Sequence, residues 1–171
     1  MKVFLGDKPI ELLGKQPKQG EWIKKNFRLP AAYNTKIPFT PDQLKAGLVI
    51  VSTLPKIKSN ECSAQILNLE QELAIRKINA KIVHIACDCA DHWEEVKNLH
   101  PFLKAKGFSL KFADTTDINS FKEFFGVGVK GSPRIAHGLF AFQNGYLIQS
   151  MIPRQQYGIP NIKKLLDSIS S

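Results

Sequence analysis

Cysteine is scarce in this 171-residue sequence, with three residues and no regular framework. An odd, sparse set excludes a disulfide-stapled secreted module and leaves each thiol either reactive or plain core. No stretch approaches the roughly 18 consecutive apolar residues of a membrane span. The opening Met1-Lys2-Val3-Phe4-Leu5-Gly6-Asp7 lacks the apolar core of about 7–15 residues that marks a signal peptide, so a cytoplasmic protein is the expectation. No run of five or six basic residues occurs either. The 24 Lys+Arg, against 15 Asp+Glu for a net +9, are scattered along the chain with no aromatic-interleaved RNA-binding signature. A solvated surface is therefore favoured over a nucleic-acid face. Gly126-Val127-Gly128 lacks the third glycine of a dinucleotide loop, and no cofactor is expected.

An ordinary globular composition, 43% hydrophobic and 23% charged, predicts one domain over residues 1–171 with a core that needs no metal. Val3 and Leu5, a turn at Gly6-Asp7-Lys8-Pro9, then Ile10 and Leu12 predict an N-terminal β-hairpin over 1–13. Residues 14–41, rich in Lys, Pro and Gln, read as a loop-heavy lead-in with one short strand. Thr40-Pro41 then starts a short helix. Leu48-Val49-Ile50-Val51-Ser52-Thr53 suits a strand buried on both faces. After it come a helix from about Cys62 to Lys77, a strand over Lys81–Ala86, a helix over Asp91–Lys106 and a short strand over Leu110–Phe112. One or two helical turns over Ser120–Phe125, a hairpin within 134–151 turning at Asn144-Gly145, and a helix over Pro160–Ile169 complete the chain. The order predicts an α/β fold with a mixed central sheet flanked by helices.

Cys62 carries the chemistry. Cys62, Ile66, Leu69 and Leu73 form one helical stripe, which puts the thiol in the first turn at the inward edge. Free N–H groups and the helix dipole there favour the thiolate, as do the nearby Lys56 and Lys58, so a lowered thiol pKa is expected. Ser59 stands three residues ahead, placed to cap the helix or to offer its hydroxyl beside the sulfur.

The segment Pro55-Lys56-Ile57-Lys58-Ser59-Asn60-Glu61-Cys62 resembles the Pro-x-x-x-(Thr/Ser)-x-x-Cys motif of peroxiredoxins. The opening hairpin is similar to the extra hairpin of that family's thiol peroxidase branch. Ser120–Val127 followed by Lys130-Gly131 is similar to its Phe-x-x-x-aromatic-Gly-Val … Lys-Gly segment. The resemblance implies a thioredoxin-like fold and a peroxidase, with Cys62 as the peroxidatic thiol that becomes a sulfenic acid on attacking hydrogen peroxide or an alkyl hydroperoxide. It further implies that Ser59 hydrogen-bonds the peroxide and that Pro55 shields the sulfur. A dithiol reductant such as thioredoxin, and a homodimer, are implied as partners.

Two features of the resemblance are displaced. The family's arginine is Arg134 when counted forward from Lys130-Gly131, whereas counting back from Asn144-Gly145 lands on Ala136 or His137. The stretch where a resolving cysteine is expected, near Val96 and Lys97, has none. Cys89, further into the loop, and Cys87 are the candidates, against a one-cysteine enzyme reduced by an outside thiol or two core cysteines with no redox part. His84, Cys87, Cys89 and His92 invite a zinc reading, but strand alternation turns His84 away from the cysteines, so no metal is expected. His100 and His137 are isolated and read as surface or satisfied core. Neither a Ser-His-Asp set nor a Cys-x-x-Cys at the helix start is present. The rival to a peroxidase is a catalytically weakened thioredoxin-fold redox sensor or partner-binding module.

Overall fold

The β-branched run Leu48–Thr53 forms the strand β4, and the molecule is arranged around it. The computed structural model describes residues 1–23, 26–29, 31–33, 36–88, 90–106, 110–112 and 125–169. In chain order these give β1 (Lys2–Leu5), β2 (Lys8–Leu13), β3 (Ala31–Tyr33), a 3-10 turn over Pro41–Leu44, β4, α1 (Asn60–Ile75), β5 (Lys81–Ala86), α2 (Ala90–Leu99) and α3 (Pro101–Lys106). Then follow β6 (Leu110–Phe112), β7 (Gly128–Val129), β8 (Gly138–Gln143), β9 (Tyr146–Met151) and α4 (Ile162–Ile169).

The main sheet has the order β3-β6-β5-β4-β8-β9. β5 runs parallel to β4 and to β6, while β8 is antiparallel to β4 and to β9, so the sheet is mixed as expected. β4 is covered on both faces, which explains its continuous apolar run. Val49 and Val51 pack with Phe27, Phe39, Phe125 and Phe140, and the Phe125 and Phe140 rings meet edge to face at 4.9 Å. Ile50 faces the other way, onto Leu69 and Leu73 of α1 and Leu165 and Leu166 of α4. A third cluster joins Leu54, Ile57, Cys62 and Ile66 to Trp93, Val96 and Leu103 of α2 and α3.

The hairpin β1–β2 forms a small sheet with β7, pairing Leu12 with Val129 and Leu13 with Gly128. It is also tied to the segment after β9: Phe4 N–H donates to Arg154 O at 2.8 Å, and Gln156 N–H to Phe4 O at 2.7 Å. This fixes Gln156 close to the start of β8, where it takes part in the site described below.

The structure departs from the sequence reading in two places. The helix expected over Asp91–Lys106 is two helices broken at His100-Pro101. Proline has no N–H to continue the ladder and crowds the preceding turn, which the apolar spacing across 91–106 does not register. The second strand pair begins at Gly138 rather than at residue 134. Ile135 instead makes a single bridge to Gly128. Cys89 and residues 120–124 of the expected helical turn lie outside the described residues. No helix among the described residues is long and apolar enough to cross a membrane.

Candidate active site at the start of α1

Ser59 has the extended backbone of an N-cap (φ −71°, ψ 153°), and its Oγ accepts the Cys62 N–H at 3.2 Å. Ser63 Oγ donates back to Ile57 O at 3.0 Å, and Ser59 N–H to Lys56 O at 3.0 Å. The loop from Pro55 to Ser59 is thus folded tightly over the first turn of the helix. Its Lys56 N–H points at the sulfur, 3.4 Å from Cys62 Sγ.

Cys62 is fully buried, and burial pushes its thiol up to about 11. This reverses the expectation of a lowered pKa. The Ser59 side chain and the Lys56 N–H do favour the thiolate, but desolvation outweighs them, and the carboxylates of Asp88 and Glu61 act with it. The Lys58 ammonium is directed to Glu95, which it meets at 2.9 Å.

His137, read from the sequence as a surface or satisfied core residue, is buried and hydrogen-bonded, and it places Nε2 3.8 Å from Cys62 Sγ. The backward count from Asn144-Gly145 lands on this residue or its neighbour Ala136, and the forward count on Arg134. Burial pushes the imidazole down to about 4, so it is neutral across the physiological range. Its Nδ1 lies 2.8 Å from Gln65 Oε1, and its backbone N–H donates to Gln156 Oε1 at 2.8 Å. Gln65 had no place in the sequence reading. A polar residue beside the stripe Cys62-Ile66-Leu69-Leu73, on a helix face that must be buried, was the available signal.

Arg134 lies at the edge of this arrangement. Its guanidinium donates to Pro55 O at 3.2 Å and meets Asp88 Oδ1 at 3.4 Å; among the described hydrogen bonds none joins it to the sulfur. Asp88 is buried and also accepts the Ile57 N–H at 3.2 Å and faces His92 Nδ1 at 3.1 Å. One carboxylate thus clamps the Pro55–Ile57 loop, Arg134 and α2 together. Asp88→Asn is expected to cost about 2 kcal/mol, since these are bonds to a charged, buried acceptor. It is also expected to lower the Cys62 pKa by removing a nearby negative charge. Urea unfolding and thiolate absorbance against pH check the two effects.

Of the two cysteines considered as resolving residues, Cys87 is half-buried and directs its Sγ to Pro133 O at 3.4 Å. Cys89 lies outside the described residues. His84 Nε2 bonds Glu70 of α1 at 3.0 Å, on the helix-covered face of β5, while His92 faces Asp88. A mainly apolar cleft of ≈200 Å³ lies between the hairpin residues Val3, Leu5 and Ile10 and the residues Pro55, Arg134 and Ala136.

Neither a protein-family model nor a curated protein matches the sequence. Solved structures do match. The thiol peroxidase from Chromobacterium violaceum superposes with a TM-score of 0.77 at 14% identity, covering 98% of this chain and 94% of that one. The peroxiredoxin-like protein from Aquifex aeolicus gives 0.73 at 13% identity, with 98% and 97% covered. The AhpC of Enterococcus faecalis gives 0.72 at 13%, with 90% and 91% covered. The chain therefore has the peroxiredoxin form of the thioredoxin-like fold, with Cys62 at the N-terminus of α1 and an added N-terminal hairpin.

Proposed function

We propose that the protein is a thiol-dependent peroxidase in which Cys62 attacks hydrogen peroxide or an alkyl hydroperoxide and becomes a sulfenic acid. The observation that carries this reading is the loop–helix corner: within a peroxiredoxin fold, the Lys56 N–H meets the Cys62 sulfur while Ser59 caps the helix that carries it. Donors aimed at the sulfur also suit an oxygen that takes on negative charge as the O–O bond breaks. Arg134 acts here through Pro55, holding the loop in place rather than touching the thiol. The apolar cleft beside Pro55 gives the tail of an organic hydroperoxide a place to lie. Cys89 or Cys87 then resolves the sulfenic acid as a disulfide, which thioredoxin or a similar dithiol reduces.

The second reading, a weakened redox sensor or partner-binding module, is favoured by one observation: the thiol is fully buried and raised to about 11. A single experiment separates the two. Reduced protein receives one equivalent of hydrogen peroxide and is followed by intact and peptide mass spectrometry. Rapid formation of a Cys62 sulfenic acid, or of its disulfide with Cys87 or Cys89, is the expected result. A Cys62 that remains a thiol while peroxide persists would overturn the peroxidase reading.

A further inference from the structure

We propose that His137 is the catalytic base of Cys62, held in its working tautomer by Gln65. The hydrogen bonds determine the tautomer. Gln65 Nε2 donates to Ser52 Oγ at 2.8 Å and to the carbonyls of Thr53 and Gly138 at 3.2 and 3.4 Å. Carbonyls only accept, so the amide nitrogen must face them and Oε1 must face His137. An amide oxygen also only accepts, so Nδ1 carries the imidazole proton. Nε2 is left with a bare lone pair, and it is this atom that stands 3.8 Å from Cys62 Sγ.

Burial of the thiol gives such a base a task. A thiol raised to about 11 is almost wholly protonated at neutral pH, and the imidazole beside it is uncharged. The charged groups acting on the pair are Glu61 of α1 and Asp88 from the loop after β5, both negative. Arg134 stands nearby, but its guanidinium is engaged by Asp88 at 3.4 Å and by Pro55 O at 3.2 Å.

This inference rests on the peroxidase reading for its substrate. The Sγ–H proton passes to Nε2 as a sulfur lone pair attacks the terminal oxygen of R–O–O–H. The S–O bond forms, the O–O bond breaks, and sulfur loses two electrons to become Cys62–S–OH. The leaving RO⁻ takes the proton from Nε2–H, giving ROH and a neutral His137. No further oxidant or reductant enters the step.

The test measures second-order rates of Cys62 oxidation by hydrogen peroxide, and of its alkylation by iodoacetamide, from pH 5 to 9. Trp93, packed in the same cluster as Cys62, offers an optical signal. In the wild-type protein both rates are expected to be nearly flat, because the neutral thiol–imidazole pair is the reactive form throughout. In His137→Asn the rate at pH 7 is expected to fall about 100-fold and to rise about tenfold per pH unit, since only free thiolate then reacts. Equal rates and equal profiles in the two proteins would overturn the proposal. If alkylation depends on His137 but peroxide leaves Cys62 untouched, the base stands and the peroxidase reading falls.

Nitrogen-15 spectra of histidine-labelled wild-type protein give a check that needs no substitution. A protonated Nδ1 and an unprotonated Nε2 at His137 are expected, and the opposite tautomer would overturn the assignment. Gln65→Leu tests the positioning role. Its spectrum is expected to show mixed tautomers with a partial loss of rate, whereas an unchanged tautomer would remove Gln65 from the scheme.

Discussion

Replacing Cys62 with serine is expected to abolish peroxide consumption, lowering the rate by at least about 10³-fold, as loss of an essential nucleophile does. A serine hydroxyl in the same place is neither polarisable nor acidic enough to attack an O–O bond, even beside a base. The fold is expected to survive. The shorter C–O bond leaves the new hydroxyl no nearer to His137 Nε2 than the 3.8 Å of the sulfur, so a poorly paired buried hydroxyl adds to the small cost of a slight void. A stability loss of about 1–2 kcal/mol is therefore expected. Peroxide consumption in the presence of a dithiol reductant, with thermal unfolding alongside, measures both quantities. Undiminished turnover by a folded Cys62→Ser protein would move the chemistry to Cys87 or Cys89.

Stability is expected to be greatest between about pH 6.5 and 9 and to decline on both sides, because the two buried partners change charge in opposite directions. His137 ordinarily titrates at 6.5 but is held at about 4 in the folded protein, chiefly by burial. Below pH 6.5 the unfolded chain therefore gains a proton that the folded one refuses. About 3 kcal/mol is lost progressively as pH falls through this window to 4. Cys62 ordinarily titrates at 9.0 but holds its proton to about 11, again through burial. Above pH 9 the unfolded thiol ionises first, and a further loss of about 3 kcal/mol develops as pH rises towards 11. Urea unfolding of the wild-type protein, His137→Asn and Cys62→Ser isolates each contribution as a difference. The acid decline is expected to shrink in the first variant and the alkaline decline in the second. Wild-type and variant curves that stay parallel would mean that neither group is buried as described.

The features that the sequence determined by itself are those set by neighbours along the chain. The run Leu48–Thr53 specifies a strand covered on both faces, and the spacing of Cys62, Ile66, Leu69 and Leu73 specifies the buried side of α1. The turn at Gly6-Asp7 closes the hairpin, and Ser59 caps the helix three residues before the thiol. Each depends on contacts within a few residues, where propensity, period and capping chemistry act. The motif from Pro55 to Cys62 is legible for the same reason.

Tertiary structure decided what surrounds the sulfur. His137 reaches Cys62 across 75 positions, Gln65 reaches His137 across 72, and Arg134 reaches Pro55 across 79. These contacts come about because β8 lies antiparallel beside β4 and delivers residue 137 to the start of α1. No local pattern records that pairing, and two counts along the chain gave different residues for one position. The thiol pKa was equally out of reach. The helix terminus, visible in the sequence, favours the thiolate, whereas the loss of solvent around Cys62 favours the thiol. Desolvation is a property of everything packed around the group, so its sign and dominance emerge only when the chain has folded.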